Sequence, residues 1–326
     1  MKLVTILIPA YNEEAVLNPC YQRTVQVLRS LTGYYFELLF VNDGSQDDTL
    51  TIIRSLRRLD PRVAFVNLSR NFGKEIAMIA GLDYAQGDAV ILMDADLQDP
   101  PELIPELLKY WEQGYDDVYA RRRSRNGESW LKKVTSARFY RLLQKTTRIP
   151  LQADTGDFRL LDRRAVQAVR RLRETQRYTK GMFSWIGFNK KEILFDREPR
   201  AAGSSKWHYP KLINLAIEGI TSFTVAPLRL SSIAGSFVSL FAFLYMLFII
   251  VRTLLFGNRV GGYASLMAVI LFLGGIQLLS IGLIGEYLGR VFNETKHRPL
   301  YFVDEFNGEK VEASTPRQET IRRETS

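Results

Sequence analysis

Up to about residue 228, the chain alternates short apolar runs with more polar segments of helical length. Short apolar runs bounded by turn-forming residues are typical of buried strands. Strands are predicted at residues 3–8, 36–41, 63–66 and 90–93, and helices from residue 12 and over 47–59 and 72–85. Strands that alternate with helices in this way predict an α/β domain with a mostly parallel sheet covered by helices on both faces.

A different pattern begins near residue 229, where two long stretches contain no charged residue. These stretches are residues 230–251 and 260–285. Each exceeds the length of about 20 residues that a helix needs to cross a bilayer core. They predict two transmembrane helices, at about 230–255 and 261–288, within a hairpin that spans 229–290. Two helices buried in a soluble core are the alternative, but two such runs in succession favour the membrane.

The flanking charges and the cysteine content indicate the compartment. The residues after Met1 do not resemble a signal peptide, because they lead directly into a strand-like run, and a single cysteine, Cys20, rules out an internal disulfide. Lys and Arg flank both outer ends of the apolar pair, which favours cytosolic termini, although Arg252 and Arg259 weaken this bias. We expect a plasma (inner) membrane protein with a cytosolic domain over 1–228 and a cytosolic tail over 291–326. The tail becomes polar after about Asp304 and is expected to be disordered.

The predicted strand at residues 90–93 is followed at once by Asp94 and Asp96, with Gln98 and Asp99 just beyond. Ligands of open α/β sheets bind at the carboxyl ends of strands. Two carboxylates on one face of such an end can share a hard divalent cation, which in turn holds phosphates. An acidic turn without a ligand is the alternative, because Asp is common in turns.

The turn after the first predicted strand excludes two common nucleotide-binding classes. It reads Pro-Ala-Tyr-Asn-Glu-Glu, without the glycines that a dinucleotide-binding turn or an ATPase phosphate loop requires. Asn12 is expected to cap the first helix. The first two turns instead offer the ring of Tyr11 and the carboxylates of Glu13 and Asp43. Such carboxylates can accept hydrogen bonds from base N–H groups and ribose hydroxyls.

Four motifs occur in order along the chain: Pro-Ala-Tyr-Asn-Glu-Glu at 9–14, Asn-Asp-Gly-Ser at 42–45, Asp-Ala-Asp-Leu-Gln-Asp at 94–99 and Thr-Gly-Asp-Phe-Arg at 155–159. Together they resemble the GT-A glycosyltransferases of family 2. Within that family they are most similar to the polyprenyl-phosphate glycosyltransferases, and Asn-Phe-Gly-Lys-Glu at 71–75 is most like the bactoprenol glucosyltransferases. The resemblance extends over about residues 3–300 and implies a GT-A nucleotide-sugar-binding fold.

The resemblance also implies roles for individual residues. The nucleotide would be held by Pro9, Tyr11, Glu13, Asp43, Asp94 and Ala95. The metal, Mg²⁺ or Mn²⁺, would be held by Asp94, Asp96 and Gln98. The catalytic residues would be Asp96 and Asp157, with Asp157 beside the anomeric carbon, acting either as a base or as a group that orients the acceptor. Tyr11 packing in the core and Asp43 capping a helix remain the alternatives for these two residues.

Basic residues cluster over 121–148, where Glu128 is the single acidic residue. The apolar spacing predicts an amphipathic helix at about 128–147 that lies on a membrane surface, with a solvated helix as the alternative. A second amphipathic helix is predicted at about 209–226. Arg122 or Arg123 matches the phosphate-contacting position of the family. Candidate acceptor-phosphate residues are Arg122, Arg123, Lys132, Arg138, Arg200 and Lys206.

The net charge of +9 could indicate nucleic acid, but the basic residues lie near the membrane-facing segments, which favours a lipid phosphate or an anionic membrane. The expected reaction is inverting transfer of one sugar from UDP-glucose to undecaprenyl phosphate at the cytosolic face. GDP-mannose or a modified arabinose donor is an alternative, and a processive synthase or a non-enzymatic flippase or scaffold is less favoured. Glycines in the second apolar stretch would permit a homo-oligomer.

Overall fold

The structure is a computed structural model, and it describes residues 1–123, 155–175, 177, 179–196, 226–256 and 262–311. The described chain divides into two compact units. The first is an α/β unit that contains the described residues up to 196 and resumes at Pro299. The second is helical and lies between these two parts in the sequence. The amphipathic helices expected at about 128–147 and 209–226 lie outside the described residues.

The described part of the α/β unit consists of alternating strands and helices. Its strands are β1 (Lys2–Ala10), β2 (Tyr34–Asn42), β3 (Val63–Leu68), β4 (Ala89–Leu92), β5 (Asp117–Arg122), β6 (Thr155–Asp162), β7 (Lys190–Phe195), β8 (Val303–Phe306) and β9 (Glu309–Lys310). Its helices are α1 (Glu14–Arg29), α2 (Thr49–Leu59), α3 (Lys74–Tyr84), α4 (Ile104–Glu112), α5 (Arg163–Arg171) and α6 (Thr179–Trp185), with a 3₁₀ turn at Pro101–Leu103.

The strands form one sheet in the order β7-β5-β6-β4-β1-β2-β3-β8-β9. The four central strands, β4-β1-β2-β3, are mutually parallel, as the alternation of strands and helices predicts. Outside this core, β6 is antiparallel to both β4 and β5, and β8 is antiparallel to β3. The expectation of a mostly parallel sheet is therefore confirmed for the core, while the flanks are mixed.

The central strands are buried on both faces because each lies between two layers of helices. In β1, Ile6 and Ile8 join one apolar cluster and Leu7 joins the other, and none of the three is exposed. Helix α1 contributes Leu17 to the first cluster, and α3 contributes Ile79 to the second. Burial on both faces explains why the sequence shows continuous apolar runs rather than alternating ones.

Two local expectations are wrong. Asn12 does not cap α1: it has a positive φ of 55°, which Asn tolerates, and its Oδ1 accepts a hydrogen bond from the N–H of Gln46 at 2.9 Å. The expected disorder after about Asp304 is also wrong for residues 304–311, which contain most of β8 and all of β9, and residues 312–326 lie outside the described residues. Strand β8 pairs with the edge of β3, a long-range contact that polar composition alone does not reveal.

The helical unit contains α7 (Ala226–Phe256) and α8 (Tyr263–Thr295), and the Oγ atoms of Ser231 and Ser280 lie 3.0 Å apart between them. Large apolar side chains are exposed along both helices, including Phe241 at 73%. Among the described residues, one helical stretch, Phe272–Thr295, is long and apolar enough to cross a membrane, and Ser231–Tyr245 is a shorter apolar stretch. Exposed apolar surface on this scale is typical of contact with lipid or a partner.

Candidate functional site

The candidate site lies at the carboxyl edge of the central strands. Strand β1 has β2 on one side and β4 on the other, so the order of the parallel strands reverses between β1 and β4. In open α/β sheets, ligands bind outside the carboxyl ends of strands at such a reversal. Tyr11 follows β1 and Asp94 follows β4. The topology therefore brings two residues of the sequence-predicted site to one edge.

The turn after β4 is held in an unusual conformation. The N–H of Met93 continues the strand pairing by donating to the carbonyl of Leu7 at 3.0 Å. Asp96 Oδ1 then accepts a hydrogen bond from the N–H of Gln98 at 3.1 Å. Between them, Leu97 has a positive φ of 58° although its side chain is buried. A strained residue of this kind often marks a functional turn, because the packing must hold it in place.

Lys74, at the start of α3, bridges Asp94 and Asp157. Its Nζ lies 2.7 Å from the Asp94 carboxylate and 2.6 Å from Asp157 Oδ2. Antiparallel pairing explains the meeting, since Leu92 of β4 pairs with Arg159 of β6 and Asp157 lies two residues before it. Burial alone would lower the pKa of the Lys74 ammonium, but the two carboxylates outweigh this effect and raise it. The site thus joins the predicted metal ligand and the predicted catalytic carboxylate through one cation.

The donor set after β4 fits a hard divalent cation. Asp94 and Asp96 offer carboxylate oxygens and Gln98 an amide oxygen, which are ligands that suit Mg²⁺ and Mn²⁺. Lys74 already pairs with Asp94 at 2.7 Å, so an ion that binds this carboxylate would compete with the ammonium group. Within the described ranges, no three His, Cys, Asp or Glu side chains form a metal-binding group. An ion here would therefore rely on the amide and on phosphate oxygens of a bound ligand.

A cavity of about 380 Å³ opens along the carboxyl ends of β1, β2 and β3. Its lining residues are Tyr11, Asn42, Gly44, Ser45, Gln46, Leu50, Asn67, Leu68, Ser69, Arg70, Asn71 and Asp304. Tyr11 is 39% exposed, so its ring is not part of the core. The buried Asn42 and Asn67 share a hydrogen bond of 2.7 Å from Nδ2 to Oδ1. The cavity combines an aromatic face with amide and carboxylate groups, which suits a nucleoside.

Asp43 is placed differently from Tyr11. Its side chain is buried, and its two oxygens accept hydrogen bonds from the N–H groups of Phe72 at 2.7 Å and Gly73 at 2.9 Å. Burial raises the pKa of this carboxyl, and the two N–H groups partly offset the rise. The carboxylate thus fixes the loop that leads into α3. The residues of the 42–45 motif that line the cavity are Asn42, Gly44 and Ser45.

The backbone at Gly44 lies very close to the backbone of Arg70 and Asn71. It has a positive φ of 64°, and a Cβ atom at this position would lie 2.4 Å from the carbonyl carbon of Arg70. Of the other predicted nucleotide residues, Pro9 lies at the end of β1, Glu13 lies just before α1, and Ala95 is buried in the turn after β4. Of the predicted nucleotide residues, Tyr11 lines the cavity, whereas Pro9, Glu13, Asp43, Asp94 and Ala95 do not.

The predicted acceptor residues are only partly described. Arg122 is the last residue of β5 and pairs with Phe195 of β7. Arg123 donates its backbone N–H to the carbonyl of Phe195 at 2.9 Å, and its Nη1 lies 3.4 Å from Asp196. Lys132, Arg138, Arg200 and Lys206 lie outside the described residues.

The site also contains residues that sequence reasoning missed. Lys74 was noted only as part of a motif, although it starts the helix that leads into the strand before Asp94, which is a signal that could have been followed. Asp304 lies in the segment assigned to a disordered tail, and no local pattern connects it to the cavity. Arg159, the last residue of its motif, is buried against Asp117 at 3.2 Å and is therefore structural.

Comparison with known proteins adds to this geometry. Residues 5–170 match the model of glycosyl transferase family 2, and residues 226–291 match that of the GtrB C-terminal hairpin. The chain is 52% identical over 305 residues to an uncharacterized glycosyltransferase of Synechocystis sp., covering 94% of this chain and 96% of that protein. It is 45% identical over 300 residues to the bactoprenol glucosyl transferase of Shigella phage SfV, covering 92% and 97%.

Among solved structures, mannosyl-3-phosphoglycerate synthase from Rubrobacter xylanophilus is similar, with a TM-score of 0.46 and 18% identity. This match covers 67% of this chain and 71% of that chain. A likeness this distant supports no conclusion about substrate. The two relatives found by sequence, in contrast, match over nearly their whole length, so the similarity includes both the α/β unit and the hairpin.

Proposed function

The chain belongs to glycosyl transferase family 2, and we propose that it transfers one sugar from a nucleotide diphosphate to a polyprenyl phosphate. The observation that carries this proposal is the contact of Lys74 with both Asp94, just after β4, and Asp157 of β6. A transferase must bring a donor diphosphate and an acceptor phosphate to one place. The edge of β4 and β6 offers such a place, with a cation between the two carboxylates.

On the donor side, the cavity at β1 to β3 binds the nucleoside and the turn after β4 binds the diphosphate. Asp94, Asp96 and Gln98 would hold Mg²⁺ or Mn²⁺, which would supply Lewis-acid stabilisation of the departing diphosphate. The strained turn at Leu97 keeps these groups in position without movement during the reaction. UDP-glucose is the proposed donor.

On the acceptor side, the main obstacle is charge. A phosphomonoester has a second pKa of about 6 and is largely dianionic at pH 7, so it needs little help from a general base. Asp157 therefore orients the acceptor, and Lys74 offsets the carboxylate charge that would otherwise repel it. Fixing the two reactants in line is then the main contribution to the rate. The proposed product is inverted at the anomeric carbon.

We also propose that α7 and α8 both cross the membrane as a hairpin, with both termini in the cytosol. The match to the GtrB hairpin over 226–291 and the exposed apolar side chains of both helices support this topology. The polyprenyl chain of the acceptor would lie in the same bilayer. Attachment to the membrane therefore raises the local concentration of the acceptor.

The test compares Asp94→Asn and Asp157→Asn with Asp48→Asn, which removes an exposed carboxylate at the start of α2. Membranes containing each variant receive radiolabelled UDP-glucose and undecaprenyl phosphate. We expect the first two variants to lose at least about a hundredfold in transfer, as removal of a key electrostatic group does, and the control to match the wild type. Parallel reactions with GDP-mannose and other sugar nucleotides identify the donor. Full transfer by both site variants, or no transfer from any donor, contradicts the proposal.

A further inference from the structure

The segment that follows the hairpin returns to the α/β unit and is held firmly there. The N–H of Ser69, just after β3, donates to the carbonyl of Phe302 at 3.0 Å. The hydroxyl of Tyr301 donates to Asp83 of α3 at 2.6 Å. Glu305 of β8 is buried and forms an ion pair with Arg54 of α2. Strand β8 is therefore a fixed part of the sheet.

Asp304 of β8 lines the cavity, as does Tyr11. Its Oδ2 accepts a hydrogen bond from Asn67 Nδ2 at 3.2 Å, and Asn67 Oδ1 in turn accepts one from Asn42. The other carboxylate oxygen of Asp304 has no partner among the described residues. Asn42 Oδ1 is buried in this chain of contacts and also has no hydrogen-bond partner there. Of these two acceptors, Asn42 Oδ1 is buried, whereas Asp304 is exposed and lines the cavity beside the amide of Asn67.

We infer that Asp304 selects the base of the nucleotide by accepting a hydrogen bond from a ring N–H; this inference rests on the proposed function. A carboxylate can only accept hydrogen bonds. Uracil and guanine each carry a ring N–H beside a carbonyl on the edge that proteins read, whereas cytosine and adenine carry a ring nitrogen lone pair there. A carboxylate repels that lone pair. The amide of Asn67, next to Asp304, is a hydrogen-bond donor, which is the type of group that the base carbonyl beside the ring N–H requires.

The selection therefore comes from a residue that lies beyond the hairpin in the sequence. Asp304 and Asn67 are 237 positions apart in the chain. The α/β unit before the hairpin contains the aromatic ring and the amides of the cavity, but it does not contain this carboxylate. The wall that reads the base is complete only when β8 is in place.

The experiment measures binding of UDP and CDP by calorimetry to the full chain in detergent, for the wild type, Asp304→Asn and Glu309→Gln. An Asn at 304 can still accept from Asn67, so the sheet and the cavity are retained. Glu309 is an exposed carboxylate on the neighbouring β9 and serves as the matched control. We expect the wild type and the control to prefer UDP over CDP by about tenfold or more, the range of one hydrogen bond to a charged group. In Asp304→Asn this preference should disappear through weaker UDP binding.

Two results overturn the inference: unchanged UDP binding in Asp304→Asn, and equal loss of UDP and CDP binding, which indicates a structural role. The binding measurement contains no acceptor and is independent of transfer. A wild type that prefers UDP through Asp304 but transfers no sugar contradicts the proposed function alone. A wild type that transfers sugar while Asp304→Asn keeps its preference for UDP contradicts this inference alone.

Discussion

Replacing Lys74 by Met should strengthen binding of a divalent cation and at the same time slow sugar transfer. Lys74 Nζ lies 2.7 Å from the Asp94 carboxylate, which is a proposed metal ligand. An ion that binds Asp94 must displace this ammonium group or share the carboxylate with it. Met keeps the length and apolar stem of the side chain but removes the charge. The variant therefore removes a competitor for the ion.

The size of the effect follows from one charge-assisted hydrogen bond. Such a bond contributes about 1.5–3 kcal/mol when it is shielded from water. The Lys74 side chain is 44% exposed, so solvent screening reduces this to about 1.4 kcal/mol. That free energy corresponds to about a tenfold change in affinity. The neighbouring Asp157, 2.6 Å from Nζ, also loses its counter-charge, which acts on the ion in the same direction.

The assay is a titration with Mn²⁺ in the absence of nucleotide, in which electron paramagnetic resonance reports the free ion. Lys74→Met should bind Mn²⁺ about tenfold more tightly than the wild type, and Lys74→Arg, which keeps the charge, should stay near the wild type. Lys109→Met removes an exposed lysine of α4 and is the matched control. Transfer by Lys74→Met should fall at least about tenfold, because the acceptor phosphate then meets uncompensated carboxylates.

Mn²⁺ binding by Lys74→Met that is no tighter than by Lys109→Met would refute the reasoning. It would mean that Lys74 and the ion do not compete for Asp94. Loss of transfer with unchanged ion binding would instead indicate that Lys74 contacts only the reactants. Damage to the fold is not expected to tighten ion binding, so the predicted pair of changes distinguishes competition from a structural role.

Two further predictions concern stability and reactivity. Arg159→Met leaves the buried Asp117 without its nearest counter-charge, and this should cost about 3–5 kcal/mol. Thermal unfolding should then occur roughly 10 °C lower, whereas Arg58→Met, on an exposed position of α2, should not shift the midpoint; equal midpoints contradict the assignment. Burial raises the pKa of the Cys20 thiol to about 12, so a thiol reagent at pH 8 should label the protein only after denaturation. Rapid labelling of the native protein contradicts the burial.

The parallel core was predictable because its signals are local. Continuous apolar runs mark strands such as β1 that are buried on both faces, and the polar residues that stop them mark the carboxyl edge. The sequence alone therefore sufficed to place Tyr11 and Asp94 at the same edge of the sheet. The same reasoning failed for Asn12, since its side chain bonds to a second loop that the local pattern does not include.

The pairing of distant segments was not predictable in this way. Asp157 lies near Asp94 only because β6 runs antiparallel to β4. An apolar run in the sequence does not show whether the strand will be parallel or antiparallel to its neighbour. Lys74 completes the contact from a third element, α3. Asp43 was assigned to the nucleoside by its motif, but its oxygens are used by the backbone of the loop before α3. Each of these outcomes depends on which segments become neighbours after folding.

The return of the chain to β3 after the hairpin has a consequence for the order in which the molecule is made. Synthesis proceeds from the N-terminus, and domains generally fold as they emerge. The ribosome releases β1 to β7 first, then both long helices, and only then β8. Until that moment β3 is an open edge strand, a surface prone to unwanted pairing. The edge of β3 in the nascent α/β unit therefore stays unpaired, and the cavity lacks Asp304, until both apolar helices have been translated.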